Sequence, residues 1–337
     1  MASKERVVII AEIGVNHNGS LELAKRLVDE AASAGADYAK FQTFQATKLA
    51  SADAPVADYQ RLQFEGSHQV DLLESLELTH PEFAELVAHC KSVGIGFLTT
   101  AHDLDSAAFV FDLDSDFVKV PSGDITNFPF LQLVGRQGKN VLLSTGASNE
   151  DEVFEAIAVL EGEGLSRQQI TVMQCTTEYP APIHDANLLA MVRMSKKWGV
   201  GMGFSDHTEG HVAAVASIAL GATVLEKHIT LDRSMVGPDH AASLEPTEFA
   251  LMVSSVRRVS AALGADQKRI TRSETRNREI IRKSIVATQH IFSGEPFSAD
   301  NLGVMRPGTG LSPMRWNDLI GNAARRDYKP GEMVDEP

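Results

Sequence analysis

Two histidines, His207 and His228, sit in the polar strings SDHT and EKHIT, each at the end of an apolar run. Two imidazoles completed by oxygen ligands and water suit manganese, iron(II), zinc or cobalt rather than calcium. The ordinary alternative is that both rings simply make hydrogen bonds. Lys40 in YAKFQT and Lys119 in FVKVP stand inside apolar runs, where an unpaired ammonium is costly. A buried anion would answer that cost, and so would an ion pair with Glu12 or Glu226. Polar groups recur at the ends of similar runs: Glu12, Asn16 and His17; Gln42; Thr99 and Thr100; Ser122; Ser144 and Thr145; Thr176, Thr177 and Tyr179; Ser205 and Asp206. Any one Ser or Thr there reads as a helix cap, but the recurrence asks for an architecture that gathers all of these ends at one place.

The runs supply it. Short β-branched segments, Val7–Ile13, Tyr38–Thr43, Gly96–Thr100, Phe117–Val120, Asn140–Ser144, Ile170–Cys175, Gly199–Ser205 and Thr223–His228, alternate with stretches of helical periodicity. The helical stretches include Leu21–Ala34, Pro81–Val93, Glu152–Leu160, His211–Leu220 and Pro246–Leu263. Eight strand-helix repeats in roughly 260 residues match a (β/α)8 TIM barrel better than an open doubly wound sheet. In a TIM barrel functional groups lie at the C-terminal ends of the strands, which is where these polar residues fall.

The chain has 337 residues, more than a single core usually supports, so a barrel over residues 1–263 and a smaller domain are expected. Residues 264–280 are polar and arginine-rich and read as a linker. Residues 281–337 carry short strand-like pieces punctuated by Gly and Pro, a small, mostly β domain. A net charge of −14 argues against nucleic acid or an anionic membrane as partner, and no apolar run approaches the roughly 20 residues of a membrane helix. The first residues lack the pattern of a secretory signal, and the two cysteines, Cys90 and Cys175, have no metal or disulfide spacing, so a cytoplasmic setting is expected.

The strings AEIGVNHNG, AGADYAKFQTF, FVKVPSGDITN, LLSTGASNEDEV, QCTTEYPAP, GFSDHTEG, LEKHITLDR and GPDHAASLEP resemble the sialic acid synthase family, including its legionaminic acid and spore-coat branches. KSIVA and VMRPGTGLSP resemble that family's antifreeze-like (SAF) C-terminal domain. The resemblance implies condensation of phosphoenolpyruvate with an N-acetylated amino sugar to a nine-carbon 2-keto acid. It implies that Lys40, Thr100, Lys119, Ser122, Ser144 and Ser205 hold phosphoenolpyruvate and that His207 and His228 bind manganese. It further implies that Glu12, Gln42, Tyr179 and Asp239 meet the sugar, Glu12 being the candidate for proton transfer, and that Arg306 reaches the partner's barrel in a domain-swapped homodimer. Thr177 stands where neuraminic acid synthases often have Asn, and Ile280 where an aromatic can occur. CTTEYP is closer to the legionaminic branch, whose acceptor is a 6-deoxy diacetamido sugar. An aldolase or condensing enzyme acting on a sugar phosphate would want a second phosphate site near strands seven and eight, where Lys227 is the cation present.

Overall fold

In the computed structural model, which describes residues 6–51, 54, 68–113 and 115–336, eight parallel strands close on themselves in chain order. They are β1 Val8–Gly14, β2 Tyr38–Thr43, β3 Gly96–Ala101, β4 Phe117–Val120, β5 Asn140–Ser144, β6 Ile170–Gln174, β7 Gly201–Asp206 and β8 Val224–His228. Parallel strands covered by helices are buried on both faces, which is why these segments read as nearly unbroken apolar runs. Outside the barrel wall, side chains such as Ile9, Phe41, Val141, Val172 and Leu225 pack against the helices. Inside it, Ile10, Leu98, Leu142, Met173 and Val224 plug the lumen. Any polar group at the C-terminal ends therefore sits on a dry apolar floor.

Register brings those groups to one level. Glu12 pairs across the strands with Lys40 on one side and His228 on the other, Thr100 with Lys119, and Ser205 with Glu226. The helices that hold the strands in place start where capping residues stand. Ser20 caps Leu21–Ser33, Thr79 with Glu82 forms a capping box on His80–Val93, and Asn149 with Glu152 does the same for Glu150–Gly162. Gly19, at φ +70°, shows why one turn needs glycine: a Cβ there would lie 2.5 Å from the Ser75 carbonyl oxygen.

The chain divides into two compact units, Met1–Gly264 and Ala265–Pro337. In the second, Ser284–Ala287 pairs antiparallel with Leu302–Met305, and bridges such as Ile291 to Tyr328 extend the β character. Its own core gathers Ile285, Ile291, Phe297, Leu302, Leu319, Tyr328 and Val334. The stretch expected as a plain linker, 264–280, is different: a helix, Arg272–Ile281, occupies its second half. A capping box between Thr271 and Glu274 starts that helix, and none of its residues is buried, so it carries no apolar stripe for a sequence reading to detect.

Candidate active site

Every barrel residue singled out above as a substrate or metal candidate lines one cavity of about 240 Å3 at the C-terminal ends of the strands. Its floor is a four-membered charge cluster. Lys40 Nζ lies 2.6 Å from Glu12 Oε2 and 3.7 Å from Glu226 Oε2, and donates to Thr100 Oγ1 at 3.0 Å. Lys119 Nζ donates to both carboxylate oxygens of Glu226, at 2.9 and 2.8 Å. Ser205 Oγ donates to Glu226 Oε1 at 2.8 Å, and Gln42 Nε2 to Glu12 Oε1 at 3.2 Å. The ion pairs weighed as an alternative from sequence are therefore present, and both lysines remain in the wall of the cavity.

The cluster is not electrically symmetric. Burial raises the pKa of Glu12 above the usual carboxylate range, with Lys40 opposing and Glu226 adding to the rise. Burial acts in the same direction on Glu226, but Lys119 and Lys40 outweigh it and hold that carboxyl below its ordinary value. Burial would lower Lys40, yet Glu12 and Glu226 together raise it. The carboxyl that takes a proton first is Glu12. Once it does, two ammonium groups face one carboxylate and the floor is cationic, suited to an anionic ligand.

The other wall holds the imidazoles. His207 Nδ1 donates to the Thr176 carbonyl at 2.6 Å, which leaves the Nε2 lone pair facing the cavity, 3.3 Å from Ser205 Oγ. Burial keeps His207 neutral, with a pKa of about 4, and His228 is lowered further by burial and by its histidine neighbour. The two rings lie 5.6 Å apart. Nδ1 of His228 is buried without a hydrogen-bond partner among the described residues and lies 3.7 Å from Asp239 Oδ2. Burial, reinforced by the charge of Glu12, pushes Asp239 up to about 7. The Tyr179 ring packs 4.2 Å from that of His207.

Two neutral, converging imidazoles, one with an orphaned nitrogen, fit a borderline divalent ion. Among the described residues no three His, Cys, Asp or Glu side chains are arranged as a ready metal-binding group, although Asp239 lies 3.7 Å from His228. A metal here would draw its remaining ligands from substrate and water.

Some sequence candidates have other work. Asn16 donates to the Ile229 carbonyl and to Ser243 Oγ, tying the end of β1 to the loop after β8, and His17 Nδ1 accepts from Gly19 N. Lys227 points to the opposite face of β8 from Glu226 and His228, pairs with Asp206 at 3.0 Å and donates to the Thr208 carbonyl. It supplies no second phosphate site. Arg306 belongs to the second unit, where it is exposed and its Nε donates to the Ile281 carbonyl at 3.2 Å. The cavity also includes His102 and Cys175, absent from the sequence candidates, and Glu226, which the sequence offered as a strand-end polar group and a partner for lysine but not as a site residue. The signal for His102 and Glu226 was a spacing of two: Lys40 and Gln42, Thr100 and His102, Ser205 and His207, Glu226 and His228 each put both side chains on one strand face.

Residues 27–268 match the NeuB family and residues 282–337 the SAF domain. The chain is 43% identical to the N,N'-diacetyllegionaminic acid synthase of Campylobacter jejuni, over 98% of this chain and 100% of that one. It is 36% identical to the human N-acetylneuraminate-9-phosphate synthase, over 93% of this chain and 87% of that one. The crystal structure of an N-acetylneuraminic acid (sialic acid) synthetase from Leptospira borgpetersenii, in complex with citrate, superposes with a TM-score of 0.71 at 30% identity, covering 81% of this chain and 90% of that one.

Proposed function

We propose, because this chain belongs to the NeuB family, that it is a nonulosonic acid synthase, joining phosphoenolpyruvate to an N-acetylated amino sugar with release of phosphate. The observation that carries the assignment of substrate to site is the buried floor of Lys40, Lys119, Glu12 and Glu226. It offers an anion two ammonium groups in a place from which water is largely excluded. There charge-assisted hydrogen bonds are strong. Lys40 and Lys119 neutralise the phosphate and carboxylate of phosphoenolpyruvate, and the hydroxyls of Thr100, Ser122, Ser144 and Ser205 donate to their oxygens.

The enol C3 attacks the aldehyde carbon of the open-chain sugar, water adds at C2, and collapse of the adduct expels phosphate. His207 and His228 would hold a divalent ion, manganese in our reading, which when bound polarises the aldehyde oxygen as a Lewis acid. Glu12, whose pKa burial has raised, moves a proton at the aldehyde oxygen or the attacking water. Gln42, Tyr179 and Asp239 orient the sugar from the His228 side of the cavity. Preorganised donors of this kind usually supply the largest share of catalysis. For the acceptor we favour a 2,4-diacetamido-2,4,6-trideoxymannose over N-acetylmannosamine, supported by Thr177 and Glu178 and by the name of the 43% identical relative. We further propose a domain-swapped homodimer in which Arg306 serves the partner's sugar site, and a cytoplasmic enzyme, consistent with the free, buried Cys90 and Cys175.

A phosphate-release assay with phosphoenolpyruvate, manganese and a panel of amino sugars, read by product mass, tests the reading. Lys119→Ala removes one ammonium and leaves Glu226 with Lys40 alone at 3.7 Å. Its kcat/KM for phosphoenolpyruvate should fall by about 100-fold or more, the cost of breaking a buried charge pair. Unchanged kinetics for phosphoenolpyruvate in that variant, or full turnover in excess chelator, would reject the corresponding assignment.

A further inference from the structure

One imidazole of the catalytic cavity belongs neither to the lysine floor nor to the histidine pair. His102 follows Thr100 by two residues at the end of β3, so its side chain leaves the chain on the face that carries the Thr100 hydroxyl. It lines the catalytic cavity beside Lys40, Thr100, Ser122 and Gly123. It also lines a neighbouring cavity of about 560 Å3 whose other residues include Lys48, Asn127 and Phe130. The ring stands between the two.

Its position is held from several sides. The His102 backbone N–H donates to the Thr43 carbonyl at 3.1 Å, and Phe44 packs edge-on against the ring with centroids 6.4 Å apart. The next residue, Asp103, accepts from Gln45 N at 2.9 Å and from Asp105 N and Ser106 N at the start of the following helix, which pins the loop on both sides. Yet Nε2 of His102 is buried and has no hydrogen-bond partner among the described residues. A buried polar nitrogen left in that state lacks compensation for its lost hydration, and such atoms are uncommon unless a ligand or water completes them. Burial, and after it the charge of Lys40, lowers the ring to a pKa of about 4, so at neutral pH it is uncharged and has one N–H to give.

We infer that His102 is a further substrate-binding residue, donating its Nε2–H to a phosphate oxygen of phosphoenolpyruvate. The inference rests on the proposed placement of that substrate on the lysine floor. An anion drawn to Lys40 and Thr100 arrives at the side of the cavity where this nitrogen waits, away from Asp239, Tyr179 and His228 on the sugar side. Phosphate rather than carboxylate is the match because it is the group that must leave, and His102 borders the second cavity through which a departing group could pass. The neutral ring serves that purpose: it donates to a phosphate oxygen without adding a third fixed cation that would retain the released dianion.

The test uses the metal-loaded, full-length enzyme with two substitutions. His102→Leu removes the donor, and His102→Gln keeps an amide N–H near the same place. In His102→Leu, KM for phosphoenolpyruvate and the inhibition constant of inorganic phosphate should rise together by about tenfold, as for loss of one charge-assisted hydrogen bond, with kcat within about threefold and the sugar KM unchanged. His102→Gln should remain within about threefold of wild type in all of these. Pyruvate, which carries the carboxylate alone, should inhibit His102→Leu and wild type equally. Equal losses in both variants would show that the ring only fills space or holds a structural water. A loss of pyruvate binding without a loss of phosphate binding, or no change at all in His102→Leu, would also overturn the inference. Failure of the lysine placement itself is read separately, from phosphoenolpyruvate kinetics of Lys119→Ala.

Discussion

The two units of this chain treat polar residues in opposite ways. In the barrel, Glu12, Lys40, Lys119, Glu226, Asp206 and Lys227 are all buried and all paired, on strands fixed by ladder bonds on both sides. Among the described residues of the second unit no charged side chain is buried, the helix Arg272–Ile281 buries nothing, and the exposed Arg306 donates from its guanidinium to the Ile281 carbonyl. A buried ionic cluster is held to its geometry by the cost of leaving any member unpaired. An exposed arginine is held by little and is free to take an anionic or hydroxyl-rich partner. The charged groups of the barrel cavity are held in place by one another, and Arg306 in the second unit is not held in that way. Three experiments probe this contrast, in descending order of expected effect.

Acid should separate the units most sharply. Burial lowers His17, His102 and His240 of the barrel from 6.5 to about 4, in His102 with help from Lys40. Between those two values the unfolded chain binds protons that the folded barrel refuses, so stability is full above about pH 6.5 and is lost as pH falls towards 4. Each of these histidines adds to the loss across that window. Asp239, raised to about 7, has the opposite sign: its folded form keeps a proton that the unfolded chain has released, so it offsets part of the loss. The second unit has one histidine, His290, which is exposed. Hydrogen exchange by mass spectrometry on the metal-free chain should show barrel peptides losing protection from pH 6.5 to pH 4 while peptides of residues 284–334 keep theirs. Uniform loss in both units, or none in the barrel, would contradict the contrast.

The next effect joins the units. Lys119→Ala and Arg306→Ala should each be nearly inactive alone. If Arg306 acts in the partner's barrel, coexpression creates mixed dimers in which one site combines an intact barrel with an intact Arg306. About a quarter of all sites then recover when assembly is random. If Arg306 serves its own barrel, no site in any mixed dimer is complete. A coexpressed mixture no more active than the separate variants would rule out the swapped arrangement.

How much of this was legible in the sequence follows from the same contrast. Each strand is found within two residues of where the apolar runs place it, because fully buried parallel strands concentrate β-branched residues and end at polar ones. Helices such as Leu104–Phe111 and Phe128–Gly135 escaped detection: LDSAAFVF and FPFLQLVG are apolar around most of their circumference, so no 3.6-residue stripe stands out. Asp239, which lies in the loop after β8 rather than at a strand end, needed the family resemblance. His102 was hidden because a lone histidine beside an aspartate reads as loop, and only the ladder that continues past β3 turns it inward. The helix in 264–280 was hidden for the reverse reason, since a helix that buries nothing leaves no pattern.

The smallest effect is expected at the barrel residue most like the second unit. Thr177 lines the catalytic cavity, yet it is exposed, and the floor beneath it is buried. Its hydroxyl is crowded against Gly146, where a Cβ would come within 2.2 Å of Oγ1, so the lip of the cavity is shaped by this side chain even though no buried charge depends on it. Thr177→Asn replaces a short hydroxyl by a longer amide at a position open to water. A wet hydrogen bond is exchanged for another of similar strength, and the change in selectivity should amount to one neutral hydrogen bond, about 2- to 10-fold. The ratio of kcat/KM for 2,4-diacetamido-2,4,6-trideoxymannose to that for N-acetylmannosamine should fall by that factor, with KM for phosphoenolpyruvate unchanged because the lysine floor is untouched. Competition between the two sugars at limiting phosphoenolpyruvate, read by product mass, measures the ratio directly. An unaltered ratio would remove Thr177 from the acceptor site, and a simultaneous rise in the phosphoenolpyruvate KM would show that lip and floor are coupled rather than independent.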